Sequence, residues 1–174
     1  MRAMATNDIL TTDRLSVAFG GLTALSDVSV RVAEGEILSI IGPNGAGKTT
    51  FFNAITGTCK PSGGEVVLRG ERITGMPPHE IARRGVARSF QNLKPFGEMS
   101  VMENVLVGRE IHFRSGLLGA VLRSGAFRSD ERAHMGRARD LVAFVGLERR
   151  RQTLARDLTY GEQKMLEIAR ALAL

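Results

Sequence analysis

A glycine-rich stretch constrains the fold of this chain more than any other feature of its sequence. Residues 42–50 read GPNGAGKTT and match the pattern G-x-x-x-x-G-K-[ST]. An apolar, β-branched run precedes the stretch at 37–41, and a helical pattern follows it at 48–56. A strand, a tight glycine turn and a helix N-terminus in this order form an anion-binding nest, because backbone N–H groups turn inward beside the positive helix end. The stretch is therefore predicted to be a phosphate-binding loop.

The residue types in this loop assign chemistry to its individual positions. Lys48 can reach the β- and γ-phosphates of a nucleotide, and the Thr49 hydroxyl can ligate Mg²⁺. Lys48 is therefore the predicted catalytic cation, and Thr49 is a predicted metal ligand. The predicted nucleotide-binding residues of the loop are Gly42, Pro43, Asn44, Gly45, Ala46, Gly47, Lys48, Thr49 and Thr50.

Composition limits the class of protein. The chain has 174 residues, of which 43% are hydrophobic and 24% charged, values typical of a globular domain. It has no apolar run near the ~20 residues that span a bilayer, and its start lacks the apolar core of a signal peptide. The net charge of +6 lies mostly in the second half, where aromatic residues do not alternate with the basic ones. A basic region of this kind can be a solvated helical face. As a binding surface, it favours an anionic membrane over nucleic acid.

Hydrophobic periodicity predicts mixed α/β structure to about residue 90 and helices beyond it. Strands are predicted at 9–19, 28–32, 36–41, 65–68, 71–73 and 86–90. Helices are predicted at 48–56, 77–84, 101–109, 117–122, 129–145 and 161–174, with Ser129 as a candidate N-cap. Predicted core stripes are Leu141, Phe144 and Val145 on one helix and Met165, Ile168, Ala169 and Leu172 on the last helix.

Two further motifs limit the protein families that this sequence fits. Gln91 ends a predicted strand with the letters ARSFQ, and residues 158–163 read LTYGEQ directly before the last helix. With the phosphate loop, in this order and spacing, they resemble the ATP-binding subunit of an ABC transporter. The resemblance covers essentially the whole chain. It implies a P-loop NTPase fold, class α/β, with a mixed sheet core, an antiparallel β subdomain and an inserted helical subdomain. The implied divisions are 1–91, 92–160 and 161–174.

The resemblance also implies roles for residues outside the loop. Phe19 matches the aromatic position that stacks on adenine, and Gln91 matches the glutamine that approaches Mg²⁺ and the attacking water. Residues 158–163 match the signature sequence, which binds the γ-phosphate of the ATP held by a second subunit. The signature residues implied to act in trans are Thr159, Tyr160, Gly161 and Glu162. Thr159, Tyr160 and Glu162 replace the family's usual Ser, Gly and Gln.

Four features of the sequence resemble ATP-binding subunits of branched-chain amino acid transporters, in the subunit with the longer helical insert. These features are residues 19–25, residues 88–92, the insert at 116–118 and the tyrosine of the signature. The implied cofactors are ATP and Mg²⁺. The implied partners are a second ATP-binding subunit, two transmembrane permease subunits and, indirectly, a solute-binding protein. The implied location of the chain is the cytoplasmic face of the membrane, and no nucleic acid partner is implied. Lipopolysaccharide export and a DNA-associated ABC ATPase are the alternatives.

One expected motif is missing from the chain. Members of this family carry an apolar strand ending in Asp-Glu after the signature helix, where the glutamate is the general base for hydrolysis. The closest match, residues 141–148, precedes the signature and has helical spacing. We therefore expect this chain to be part of a longer subunit, and to bind nucleotide without turnover when it is alone.

Overall fold

The computed structural model describes residues 7–89, 95–109 and 125–174. The chain separates into two compact units, Met1–Arg84 and Gly85–Leu174. The predicted division at Gln91 falls outside the described residues and stays a prediction.

The first unit is built on a four-stranded antiparallel sheet with the order β2-β1-β3-β4. Its strands are β1 (Asp8–Phe19), β2 (Leu22–Ala33), β3 (Gly63–Leu68) and β4 (Glu71–Arg72). Leu15, Val17 and Val66 are fully buried on the sheet, as the alternation of apolar residues in these strands predicts. The predicted hairpin is confirmed, and Ile73, just beyond β4, is buried as well.

Two short helices complete this unit. Helix α1 (Lys48–Ile55) follows the glycine-rich stretch and buries Phe51, Ala54 and Ile55. Helix α2 (Pro78–Arg83) starts with proline at its first position, where the missing N–H costs no hydrogen bond. Both helices were predicted, and both are confirmed to within a residue or two.

Two predicted strands are wrong. Residues 36–41 form no strand, and Ile37 and Ile41 are 94% and 93% exposed rather than buried. Residues 86–89 are also irregular, while Phe90 lies outside the described residues. A strand depends on ladder hydrogen bonds to a neighbour, and no described strand pairs with either segment. Apolar residues alone are therefore not sufficient to make these segments strands.

The second unit is helical. Its helices are α3 (Val101–Gly108), α4 (Gly125–Phe144) and α5 (Tyr160–Ala173), with 3₁₀ turns at Glu148–Arg150 and Ala155–Asp157. The core between the three helices is made of small and branched residues with almost no exposed surface, among them Val101, Val105, Val142, Leu166 and Ala169. The helical character predicted for this half of the chain is confirmed.

The predicted apolar stripe of α4 is confirmed in part, because Leu141 and Val145 pack against the core, whereas the predicted stripe of α5 is largely wrong. Phe144 is 77% exposed, and Val142 is buried in its place. On α5, Met165, Ile168 and Leu172 are exposed, and the buried face is Leu166, Ala169 and Ala173. Close packing explains the choice on α5, because a Cβ on Gly108 of α3 would lie 2.8 Å from the Arg170 carbonyl oxygen. Alanines permit this approach and larger side chains do not.

The caps of the helices differ from the sequence prediction in one place. Helix α4 begins at Gly125, so Ser129 lies inside it and is not its N-cap. Helix α3 instead has a complete capping box: the Glu103 N–H donates to Ser100 Oγ at 3.2 Å, and the Ser100 N–H donates to Glu103 Oε2 at 2.7 Å.

Candidate functional site

The glycine-rich loop lies exposed at the start of α1. The Lys48 ammonium folds back over it and donates hydrogen bonds to the carbonyl oxygens of Gly42 and Pro43, the latter at 2.6 Å. The Phe51 N–H donates to the Gly47 carbonyl at 2.8 Å and closes the first turn of α1. The cation that the sequence assigns to phosphate is therefore held at the mouth of the loop by two neutral acceptors.

Several backbone donors of the loop are not used by the protein. The N–H groups of Gly45, Gly47, Lys48 and Thr49 have no acceptor within the described ranges. The first turn of α1 also has no acidic residue that would neutralise the positive helix end. Unused N–H groups, a positive helix end and a nearby ammonium together favour an external anion at this position.

Gly47 fixes the loop against the sheet. It caps α1 in the left-handed conformation, with φ at 82°, and it touches β2. A Cβ at this position would lie 2.5 Å from the Ala24 carbonyl oxygen and 2.9 Å from Leu25 Cδ2. Only glycine satisfies both the backbone angle and the contact with backbone atoms.

We predict that Gly47→Ala lowers the free energy of unfolding by about 2 kcal/mol, because the left-handed angle and the contact with the Ala24 carbonyl both resist a Cβ. Chemical denaturation followed by circular dichroism measures the change. Gly45→Ala is the matched control: Gly45 is also left-handed, with φ at 85°, but a Cβ there meets no atom within 4 Å. Equal losses in the two variants would contradict the role given to the Gly47 contact.

Phe19 is the last residue of β1 and lies near the end of β2 that touches the loop. It pairs with Leu22, the first residue of β2, across the turn, and it is 54% exposed. Ala24, which touches Gly47, is two residues further along β2, about 7 Å by strand geometry. An exposed aromatic ring near an anion-binding loop suits a ligand that has a planar group and phosphates.

The signature residues start helix α5 in the second unit. Thr159 is its N-cap, and the Glu162 side chain reaches back to accept from the Thr159 N–H at 2.8 Å and from its hydroxyl at 2.9 Å. These hydrogen bonds, with a smaller contribution from Arg150 at 3.4 Å, lower the pKa of the Glu162 carboxyl. The Glu162 N–H donates to Thr159 Oγ1, so of the three amides at 160–162 those of Tyr160 and Gly161 have no acceptor among the described residues.

Contacts that the sequence did not predict hold this helix start in place. The Gln163 side chain donates to the carbonyl oxygens of Ala155 and Leu158 at 3.2 and 3.3 Å. The Lys164 ammonium lies 5.3 Å from the centre of the Tyr160 ring, which is itself exposed. The i, i+4 spacing of Tyr160 and Lys164 was the one signal in the sequence for such a pair.

Other predicted features have no structural description here. Gln91, the insert at 116–118 and the predicted helix at 117–122 lie outside the described residues. In the parts of the chain that are described, no three His, Cys, Asp or Glu side chains cluster as metal ligands. The role of Thr49 as a Mg²⁺ ligand stays a prediction. No helix within the described ranges is both long and apolar enough to cross a membrane.

Known proteins match this chain along most of its length. The family described as "ABC transporter" matches residues 25–174. The chain is 43% identical to the high-affinity branched-chain amino acid transport ATP-binding protein LivG of Salmonella typhimurium, over 94% of its own length and 64% of the relative. It is 44% identical to the corresponding protein BraF of Pseudomonas aeruginosa over the same shares. The chain thus spans less than two thirds of these relatives.

Solved structures give the same result for the fold. The ADP conformation of MJ1267, an ATP-binding cassette of an ABC transporter, matches with a TM-score of 0.79 at 36% identity, covering 95% of this chain and 65% of that one. A nucleotide-free cassette from an ABC transporter matches with a TM-score of 0.77, also at 36% identity and over the same shares. The predicted fold class and the predicted family are confirmed: the chain belongs to the family of ABC transporter ATP-binding proteins.

Proposed function

We propose that this chain is the phosphate-binding and signature-bearing part of an ATP-binding subunit that drives import of branched-chain amino acids. The observation that supports it most is the loop at 42–49, with four unused N–H groups beside the Lys48 ammonium. The names of the relatives favour amino acid import over lipopolysaccharide export or a DNA-associated ATPase.

ATP would bind in the first unit through its phosphates and its base. The unused N–H groups would hold the phosphate oxygens, and Lys48 would exchange its two carbonyl acceptors for the β- and γ-phosphates. Thr49 would complete the Mg²⁺ shell together with phosphate oxygens and Gln91. The exposed ring of Phe19 would stack on adenine.

The signature would act on the ATP of a second subunit. The free N–H groups of Tyr160 and Gly161, at the N-terminus of a helix, are suitable donors for a γ-phosphate. The Glu162 carboxylate would oppose that anion, and its hydrogen bonds to Thr159 and ion pair with Arg150 reduce this repulsion. Two such subunits would bind two transmembrane permease subunits at the cytoplasmic face of the membrane. A solute-binding protein would supply the amino acid to the permease subunits.

ATP hydrolysis is an activity of this family as a whole. No apolar run ending in Asp-Glu follows residues 158–163 in the given sequence. We propose that the chain binds Mg²⁺-ATP and that turnover requires a base from outside this sequence.

The adenine contact can be tested separately from the phosphate contact. Phe19→Ala is expected to weaken ATP binding by about tenfold and to leave binding of inorganic tripolyphosphate unchanged, because only ATP has a base to stack. Isothermal titration calorimetry with both ligands measures the difference. Leu22→Ala is the control, since Leu22 is the exposed partner of Phe19 across the turn. Equal losses for ATP and tripolyphosphate would contradict stacking.

Transport is tested in the cell that encodes this chain. Introducing Lys48→Ala into the gene should lower uptake of radiolabelled L-leucine to the level of a strain that lacks the gene, because the phosphates lose their cation. Lys60→Ala, which alters an exposed lysine outside the loop, should leave uptake unchanged. Normal leucine uptake in the Lys48→Ala strain would refute the proposed function.

A further inference from the structure

A cavity of about 530 Å³ lies in the second unit between α3, α4 and the segment at Arg151. Its volume is in the range of small-ligand sites, about 300–1,000 Å³. Three apolar side chains line it, Met102, Leu106 and Met135, and three charged ones, Glu103, Arg139 and Arg151. None of these six residues belongs to the predicted nucleotide-binding loop or to the predicted signature.

The backbone holds the two sides of this cavity together. The Met102 N–H donates to the Arg151 carbonyl at 3.0 Å, and the Val101 N–H donates to the Thr153 carbonyl at 3.0 Å. The Glu103 N–H is used by Ser100 Oγ. The first three N–H groups of α3 are therefore all satisfied within the protein, so an anion in the cavity would have to be held by side chains rather than by the helix end.

The two arginines of the cavity are available for such an anion. Arg139 and Arg151 are exposed, and neither has an ion pair with a described residue. Other arginines of this unit are paired, as in Arg156 with Glu98 at 2.7 Å and Arg150 with Glu162 at 3.4 Å. Two unpaired guanidiniums on one cavity match a carboxylate, which accepts hydrogen bonds from both.

The rest of the lining matches the remaining parts of an amino acid. Met102 is buried, and Leu106 and Met135 are half-buried, so they offer an apolar surface for a branched side chain. Glu103 keeps Oε2 on the Ser100 N–H, and this hydrogen bond lowers the pKa of its carboxyl. It is therefore ionised at neutral pH and offers a negative charge to an ammonium group.

We propose that this cavity binds a free amino acid with a branched apolar side chain. The carboxylate pairs with Arg139 and Arg151, the ammonium with Glu103, and the side chain packs on the methionines. The chemical class follows from the lining, and the choice of leucine rests on the proposed function. A site of this kind lets an ATP-binding subunit sense the imported solute on its own side of the membrane.

Saturation-transfer NMR with L-leucine on the 174-residue chain tests the proposal. We expect a dissociation constant of about 1 mM, typical of a small ligand in an open site. Arg139→Gln and Arg151→Gln should each weaken binding about fivefold by removing a charged donor. Arg149→Gln is the matched control, because Arg149 is exposed in the same segment and outside the cavity. 4-Methylpentanoate, 3-methylbutylamine and L-alanine, each lacking one of the three groups, should all bind more weakly than leucine.

ATP binding in the same sample separates this proposal from the proposed function. Retained ATP binding with no saturation transfer from leucine would overturn the cavity assignment alone. Leucine binding that is unaffected in the Arg139→Gln and Arg151→Gln variants would overturn it as well. Leucine binding weakened about fivefold in each of these variants, with ATP affinity unchanged, would establish it even in a chain whose transport function proved to be different.

Discussion

Lys48→Ala is expected to lower the affinity of this chain for ATP about 100-fold. The ammonium that now donates to the Gly42 and Pro43 carbonyls is the one side-chain cation in the loop itself, and charge-assisted hydrogen bonds to phosphate are among the stronger contacts in proteins. Two such bonds lost in a partly exposed site correspond to about 2.7 kcal/mol. Isothermal titration calorimetry with Mg²⁺-ATP measures the loss directly.

The Lys48 result has two internal controls. Lys48→Arg keeps the charge but not the compact ammonium, and we expect most of the affinity to be lost because a planar guanidinium does not fit between the same acceptors. Lys60→Ala should bind ATP like the unmodified chain. The unfolding midpoint of Lys48→Ala should stay close to that of the unmodified chain, because the Lys48 contacts are exposed. An unchanged ATP affinity in Lys48→Ala would mean that the loop is not the phosphate site.

Asn104→Leu is expected to be the most destabilising single substitution in the helical unit. Asn104 is fully buried, and its side chain makes four hydrogen bonds to the backbone. Its Oδ1 accepts from the Phe96 N–H at 2.9 Å, and its Nδ2 donates to the carbonyls of Phe96, Met99 and Ser100. Leucine has similar volume but satisfies none of these groups. The free energy of unfolding should fall by about 3 kcal/mol.

Urea denaturation compares this variant with two others. Asn104→Asp keeps the oxygen that accepts from Phe96 but loses the donors and introduces a buried charge, so it should also be strongly destabilised. Glu98→Gln removes one partner of the exposed Arg156 ion pair, and its effect should stay within about 0.5 kcal/mol. A loss in Asn104→Leu no larger than that of Glu98→Gln would show that the backbone at 96–100 is not held by this amide.

Local patterns in the sequence were sufficient where the physics is local. The loop at 42–50, helices α1 to α3 and the hairpin of β3 and β4 depend on residues close in sequence, through turn glycines, caps and short ladders. The segments at 36–41 and 86–89 were mispredicted because a strand is defined by its neighbours. The buried face of α5 was mispredicted because its contact with Gly108 of α3 selects the face that packs most closely.

The sequence by itself determined the family, and it predicted the residues that would bind ATP. A loop with this glycine spacing, followed by Gln91 and the signature at 158–163, is typical of this family. The hydrogen-bond donors of the loop are backbone groups, whose geometry depends on neighbouring residues alone. Only the tertiary structure decided how these residues are held, with Gly47 against Ala24 and the Gln163 side chain on the carbonyls of Ala155 and Leu158, and only it placed Arg139 and Arg151 on one cavity. These contacts join residues whose packing depends on the whole unit, so no local pattern could specify them.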